Sequence, residues 1–295
     1  MAKPWRIILG FIGLGSLLVS SSHAFWYSAF ADRSSAITES KPATIGYKSR
    51  KLSHGTAHIL SIPAGQFWVT PALSASTEPL ENFANRDRAI AAINGGFFDP
   101  ENRQSTSFVV LNGQVVADPR QNDRLMQNPN LVPYLDKILN RSEFRSYQCG
   151  DTIAYQIRQH QDLIPAGCRS LSALGGGPRL LPDRTDQAEG FVDRTKGRDA
   201  LGSDQPNART AIGLTHNGTI IWVMVAQTPD VANSGASLSE LAELMKSLGV
   251  ETAMNLDGGS SSALYYQGKT IYGKLDKIGN PIQQPVKSVF LVKTR

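Results

Sequence analysis

Four residues stand out for the chemistry their types allow: Asn94, Arg179, Arg209 and Asp257. Three of them sit in glycine-rich stretches, "INGGFF", "LGGGPRLL" and "NLDGGSSS". Glycines at strand ends let a backbone approach a ligand closely and aim N–H groups at it. The plainer reading of each stretch is a tight turn. An Asn such as Asn94 or Asn255 on an apolar strand is costly to bury unless hydrogen-bonded. Arg209 enters the apolar run "ARTAIG", and a guanidinium can grip an anion such as phosphate through two parallel hydrogen bonds. Asp257 is the one acid in its stretch. It is either a catalytic carboxylate at the end of a strand or an Asp-Gly turn residue.

These residues need elements to position them. "AHILSIP" and "FWVTPALS" read as strands, "PLENFANRDRAIAAI" begins as a short helix near Pro79, and a strand Ile90–Ile93 runs into "NGGFF". Asn112-Gly113 and Asn217-Gly218 each lie between apolar runs and predict type I′ hairpin turns. "LVPYLDKILN" predicts a helix. "SLSELAELMKSLG" predicts another, with a Ser237/Glu240 capping box and Gly249 at its end. The strand "TAMNLD" then delivers Asp257, and a hairpin "ALYYQGKTIY" and a last strand "VKSVFLV" close the chain. The expected fold is α+β, a single domain over residues 57–295 with a strand-rich mixed sheet core and a few packed helices. Residues 25–56 read as a polar linker or arm.

The start of the chain reads as an export signal. Lys3 and Arg6 precede an apolar run from Ile7 to Val19, too short for a comfortable membrane span, and Ser22 and Ala24 stand at cleavage-like positions. Residues 1–24 are therefore expected to be removed after Ala24, leaving a periplasmic or extracellular protein. A retained N-terminal anchor, holding the protein near a membrane, is the alternative. In an exported chain the two cysteines, Cys149 and Cys168, are expected to pair; two buried thiols are the other reading. Such a loop is worth roughly 3 kcal/mol in the chain-entropy picture.

Composition narrows the function classes. The 295-residue chain is 41% hydrophobic and 19% charged, as ordinary globular proteins are. Its net charge of +5 comes without a dense basic run, so nucleic acid is not an expected partner. No phosphate-loop or dinucleotide fingerprint occurs, since Pro178 interrupts "LGGGPRLL". "GGSSS" fails the Gly-x-Ser-x-Gly elbow, which argues against a serine hydrolase using Ser260 or Ser261. His54 and His58 have metal-like spacing but no nearby acid, so no metal and no cofactor are expected. Asp99, followed by Pro100, reads as a turn residue.

"AINGGFF", "LGGGPRLL", "ARTAIG", the Ser-Leu-x-Glu-Leu-Ala helix and "NLDGGSSSAL" occur in the order found in the phosphodiester glycosidase family, which the chain resembles over roughly residues 57–292. The chain departs from the family at Ala226-Gln227, where many members have Asp-Gly, at Gly258-Gly259-Ser260, where many have a third glycine, and at Lys287, near where an arginine often stands. The resemblance implies hydrolysis of the bond between an N-acetylhexosamine anomeric carbon and a phosphate, in a cell-envelope or exopolysaccharide glycan. In that scheme Asp257 is the catalytic carboxylate. Arg209 and the amides of Gly95, Gly96, Gly258 and Gly259 clamp the phosphate. Asn94 and Asn255 hold sugar groups, with Phe97, Gly176, Gly177, Arg179 and Ser260 completing the substrate site. A non-catalytic module that binds anionic envelope polysaccharide is the competing expectation.

Overall fold

The run Ile220–Ala226 has no charged side chain and is buried along its whole length. A strand buried on both faces needs a packed layer on each side, and this requirement sets the architecture. The computed structural model describes residues 44–295 except Asp230 and Ala232. The expected signal segment and most of the expected arm lie outside the described residues.

In chain order the strands are β1 Gly46–Leu52, β2 Gly55–Ile62, β3 Phe67–Glu78, β4 Ala91–Asn94, β5 Val109–Leu111, β6 Gln114–Ala117, β7 Ser142–Cys149, β8 Thr152–Gln159, β9 Cys168–Gly175, β10 Arg179–Leu181, β11 Val192–Asp193, β12 Arg198–Asp199, β13 Arg209–Thr215, β14 Ile220–Ala226, β15 Val250–Asn255, β16 Ala263–Tyr266, β17 Lys269–Tyr272 and β18 Val286–Thr294. The helices are α1 Leu80–Arg86, α2 Asp123–Met126, α3 Leu135–Ile138 and α4 Leu238–Ser247. Three large sheets form, in the orders β1-β2-β14-β13-β15-β10, β17-β16-β4-β18-β3 and β6-β5-β9-β7-β8. The class is α+β and strand-rich, as expected. The pairings in these three sheets are all antiparallel, where a mixed sheet was expected. Sequence-adjacent hairpins make the pairs β1-β2, β5-β6, β7-β8, β13-β14 and β16-β17, and the remaining neighbours join strands that are not consecutive in the chain.

One core lies between the three sheets. Trp222 and Met254 enter it from the first sheet, Ile93 and Phe290 from the second, and Phe144 and Leu174 from the third. The Phe144 and Phe290 rings meet edge to face at 5.4 Å. Side chains alternate along β14, so Ile221, Val223 and Val225 point the other way, toward Leu238, Leu241 and Met245 of α4. The capping box that starts α4 is formed: the Ser237 hydroxyl accepts from Glu240 N at 3.2 Å, and the Glu240 carboxylate accepts from Ser237 N at 2.8 Å. Helix α1 covers the outer face of the second sheet through Leu80, Phe83 and Ala84. The Cys149–Cys168 disulfide is present and joins two directly paired residues of β7 and β9.

Two local expectations are corrected. Part of the expected arm is β1, which pairs with β2 from Gly46↔Ser61 to Leu52↔Gly55. Its side chains are exposed on nearly every position, so no apolar alternation reveals it. Lys48, Arg50 and Lys51 on this edge strand discourage pairing with another chain. At Asn217-Gly218 only Gly218 is left-handed, whereas both Asn112 and Gly113 are. Thr219 N donates instead to the Asn217 side chain at 3.2 Å, and Gly218 N to Thr215 O at 2.9 Å, which makes a longer turn than type I′.

The sheets approach so closely that some positions admit no side chain. A Cβ on Gly96 would sit 2.3 Å from Gly175 O and 2.8 Å from Ser107 Cβ. Gly96→Ala is therefore expected to destabilise the protein by at least about 3 kcal/mol, the upper part of the range for overpacking. Gly46→Ala, whose nearest neighbour would be Ser61 Cβ at 3.8 Å, should stay within about 1 kcal/mol of the parent. Denaturant midpoints for the two variants check this, and equal midpoints would refute it.

Candidate active site

Asn94, at the end of β4, is fully buried and reaches three separate segments. Its Nδ2 donates to Asp257 O at 2.7 Å. Its Oδ1 accepts from Thr210 Oγ1 at 2.8 Å and Ala263 N at 3.1 Å. Gly95 O accepts from Asp257 N at 3.0 Å, and Ala208 O from Gly259 N at 2.8 Å. The ends of β4 and β15 and the start of β13 thus meet, which brings Asn94 to the Asp257 loop; Arg209, although next to Thr210 in β13, sends its guanidinium elsewhere. The role of Asn94 differs from the expected one. Its amide holds the Asp257 loop, so those atoms do not serve a sugar.

Asp257 is half-buried. Its Oδ1 accepts from Gly258 N at 2.9 Å, and the Ser261 hydroxyl donates to the carboxylate. Burial outweighs both hydrogen bonds and pushes its pKa up to about 6. No described ion pair involves it. A carboxylate that changes charge near neutral pH, without a cation to hold it ionised, suits proton transfer or nucleophilic attack.

The expected amide clamp is not open in this arrangement. Gly95 N donates to Ser288 O at 2.9 Å and Gly96 N to Ser288 Oγ at 3.1 Å. Gly258 N is bonded to Asp257 itself and Gly259 N to Ala208 O. Gly176 N donates to Ser142 O and Gly177 N to Asn255 O. The glycines serve the close approach of backbones, and their amides complete the fold. Ser260 is half-buried in the middle of the turn Gly259–Ser261.

Arg209 also departs from the clamp role. It is 3% exposed, and its Nε donates to Ala236 O at 3.0 Å. Nη1 reaches Leu201 O at 3.1 Å, and Nη2 reaches Gly202 O at 2.7 Å and Gln205 O at 2.9 Å. Along β13 the neighbouring Thr210 faces Asn94, so alternation sends Arg209 to the opposite face of the sheet. Burial brings its pKa down to about 10, partly offset by Asp199, and it remains a cation at neutral pH. It braces the irregular segment 201–205.

The other expected ligands divide similarly. Asn255 Nδ2 donates to Gly177 O at 2.9 Å and Leu256 O at 2.7 Å, while its buried Oδ1 has no partner. The Arg179 side chain turns back to Asp183 O at 3.4 Å. Phe97 packs on Phe191 with ring centroids 5.5 Å apart, and the Arg141 guanidinium lies 3.6 Å over Phe191. Sequence reasoning missed this last group. Glu189, 1% exposed, accepts from Ser142 N at 3.0 Å, Ser142 Oγ at 2.7 Å, Arg179 N at 3.0 Å and the Thr185 hydroxyl. It buttresses the "GGGP" loop from below, and a Cβ on Gly177 would meet it at 2.2 Å. The alternation Arg141, Glu143, Arg145 on "NRSEFRSY" is a signal that could have located this polar layer.

Because four carbonyl oxygens depend on Arg209, its loss should appear first as instability. Arg209→Met and Arg209→Lys are both expected to lower stability by at least about 3 kcal/mol, as for buried acceptors left unpaired. Protease sensitivity should rise within residues 199–206. Wild-type stability in Arg209→Lys would refute the bracing role, since a cation that only met a phosphate could be replaced by lysine without unfolding cost.

Comparison with known proteins places this architecture. The catalytic domain of the zebrafish N-acetylglucosamine-1-phosphodiester α-N-acetylglucosaminidase, auto-inhibited by its pro-peptide, is similar with a TM-score of 0.63 and 20% identity, over 85% of this chain and 83% of that one. A protein from Synechocystis is similar with a TM-score of 0.55 and 19% identity, over 85% of this chain and 62% of that one. At such identities the likeness shows the fold. A search of curated proteins found no match. The family model described as phosphodiester glycosidase matches residues 87–293, more than half of the sequence; the chain belongs to the phosphodiester glycosidase family.

Proposed function

We propose that the protein is an exported hydrolase that cleaves the bond between an N-acetylhexosamine anomeric carbon and a phosphate diester in an envelope or exopolysaccharide glycan. The observation that carries the reading is Asp257. It is a half-buried carboxylate with its pKa raised to about 6, set where the glycine-rich loops meet. The structural neighbour from zebrafish, named for its action on an N-acetylglucosamine-1-phosphodiester, supports the substrate class.

The chemistry needs one carboxylate. In ordinary glycoside hydrolysis a second acid protonates a poor leaving group. Here the leaving group is a phosphate diester oxygen, already a weak base, and it departs with the electron pair of the C1–O bond. Asp257 takes a proton from water as that water attacks C1. The products are the free sugar and a phosphate monoester, and the proton passes from Asp257 to solvent. Direct attack of the carboxylate on C1, followed by hydrolysis, uses the same residue in the same ionised state. The engaged amides and the buried Arg209 favour a second reading, a binding module without turnover. Asp257 weighs against it, because an ionised carboxylate repels an anionic polymer and so opposes a purely binding role.

The expected outcomes follow. Asp257→Asn should reduce turnover of an N-acetylglucosamine-1-phosphodiester by at least about a hundredfold, the low end of what positioned acid–base groups contribute. On the wild type, kcat/KM should rise with pH through about 6 as Asp257 ionises. The folded-state pKa is raised, so the folded state holds the proton more tightly than the unfolded chain. Stability from this group is therefore greatest below about pH 4 and is lost as pH rises to about 6. Above pH 6 Asp257→Asn should be more stable than the wild type, by about 1 to 2 kcal/mol after discounting for solvent access. A variant that keeps wild-type turnover returns Asp257 to the role of a turn residue. Export is checked by mass spectrometry of the native protein: the mature chain should begin after Ala24, and an intact Lys3 peptide overturns removal of the segment.

A further inference from the structure

A phosphate diester needs a cation, and Arg209 faces elsewhere. The molecule has another candidate beside the Asp257 loop. Strand β17 ends at Tyr272, and Gly273 N then donates to Ser262 O at 2.7 Å. A Cβ on Gly273 would lie 2.9 Å from Ser262 Cβ and 3.2 Å from Ala208 Cβ. This tight approach delivers Lys274 to the entry of β13. Its Nζ donates to Asn207 Oδ1 at 2.8 Å. It belongs to no ion pair among the described residues. Burial, and then the nearby Arg209, pull its pKa down.

Asn207 connects this ammonium to the Asp257 turn. Its Oδ1 accepts from Lys274 and, at 2.9 Å, from Ala208 N. That fixes the amide orientation and leaves Nδ2 toward Gly259, 3.7 Å from where a Cβ would stand. Its backbone is held by two hydrogen bonds exchanged with Ala236, at 3.1 and 2.9 Å. An ammonium and an amide donor thus lie side by side, next to the turn that carries Asp257 and Ser260.

Lys274 also lines a cleft of about 470 Å³ with Gln227, Ser234 and Lys277. Gln227 braces it: its Nε2 donates to Ser234 O at 3.0 Å and its Oε1 accepts from Leu275 N at 3.0 Å. Asp276, an acid on the same wall, is turned to its own loop, where it accepts from Ile278 N and Asn280 N, both at 2.9 Å. It forms no ion pair with Lys274.

We propose that Lys274, with the amide of Asn207, is the phosphate-binding subsite of the diester, a role that rests on the phosphodiester reading above. The probe is inorganic phosphate, titrated by calorimetry into the mature protein, alongside kinetics on the N-acetylglucosamine-1-phosphodiester. Phosphate should bind the wild type. Lys274→Met should weaken it by at least about tenfold, in line with loss of one charge-assisted hydrogen bond. Lys274→Arg should restore most of the affinity, and Asp257→Asn should bind at least as tightly as the wild type. On the diester, Lys274→Met should raise KM. No phosphate binding by the wild type, or equal affinity in well-folded Lys274→Met, overturns the subsite. If phosphate binding depends on Lys274 but the wild type does not turn over the diester, the subsite stands and the reaction assignment falls.

Discussion

The arrangement around Asp257 hangs on one buried amide. Asn94 sits at the end of β4, yet its side chain bonds the carbonyl of Asp257, the hydroxyl of Thr210 on β13 and the backbone N–H of Ala263 on β16. These atoms come from both the first and the second sheet. Inside a protein, where the dielectric is low, such hydrogen bonds are strong and leaving any of them unmade is costly. An aliphatic residue at this position would leave a buried carbonyl, hydroxyl and amide without partners. The position of the Asp257 loop is therefore a property of the sheet junction, and the loop itself contributes little more than the Asp257–Gly258 contact and the turn that follows.

The glycine-rich stretches follow from the same junction. Three sheets converge on one core, and their strand ends have to pass within hydrogen-bonding distance of each other's backbones. Gly95 lies against Leu174 and Ser288, Gly96 against Gly175 and Ser107, and Gly176 against Met254 and Asn255, with no room for a Cβ at any of them. Amides brought this close bond one another or nearby serines. A loop built for close backbone contact cannot keep the same N–H groups in reserve for a ligand. An anion approaching this junction would find those amides engaged and would meet side chains at its margin.

Much of this was legible in the chain. The apolar runs flanking Asn217-Gly218 marked β13 and β14 as a paired hairpin, and the Ser237/Glu240 box marked the start of α4. The approach of Asn94 to Asp257 was readable because both end apolar strands next to glycines. The role of Arg209 was not, because it depends on which face of β13 is turned toward Asn94, and on carbonyls of the irregular segment 201–205. No periodicity describes such a segment. The β1 strand escaped for the opposite reason: its backbone is regular, but its side chains are solvated on nearly every position and carry no hydrophobic alternation. Glu189 and Arg141 are polar residues recognisable only once the "GGGP" loop and Phe191 are seen to cover them.

That Asp257 forms no ion pair among the described residues has a physical consequence. Had a lysine or arginine paired directly with this carboxylate, the attraction would have lowered its pKa and kept it ionised and weakly basic. Its pKa instead lies near 6, set by burial against two hydrogen bonds. Lys274 is held off by Asn207, whose carbonyl oxygen takes the ammonium while its amide nitrogen faces Gly259. On the reading proposed above, a neutral amide beside the turn leaves Asp257 basic enough to accept a proton and Lys274 positive enough to hold an anion. On that reading, closing the gap between them would create an ion pair, lower the Asp257 pKa and neutralise the ammonium, so the spacing suits a site that has to treat water and phosphate differently.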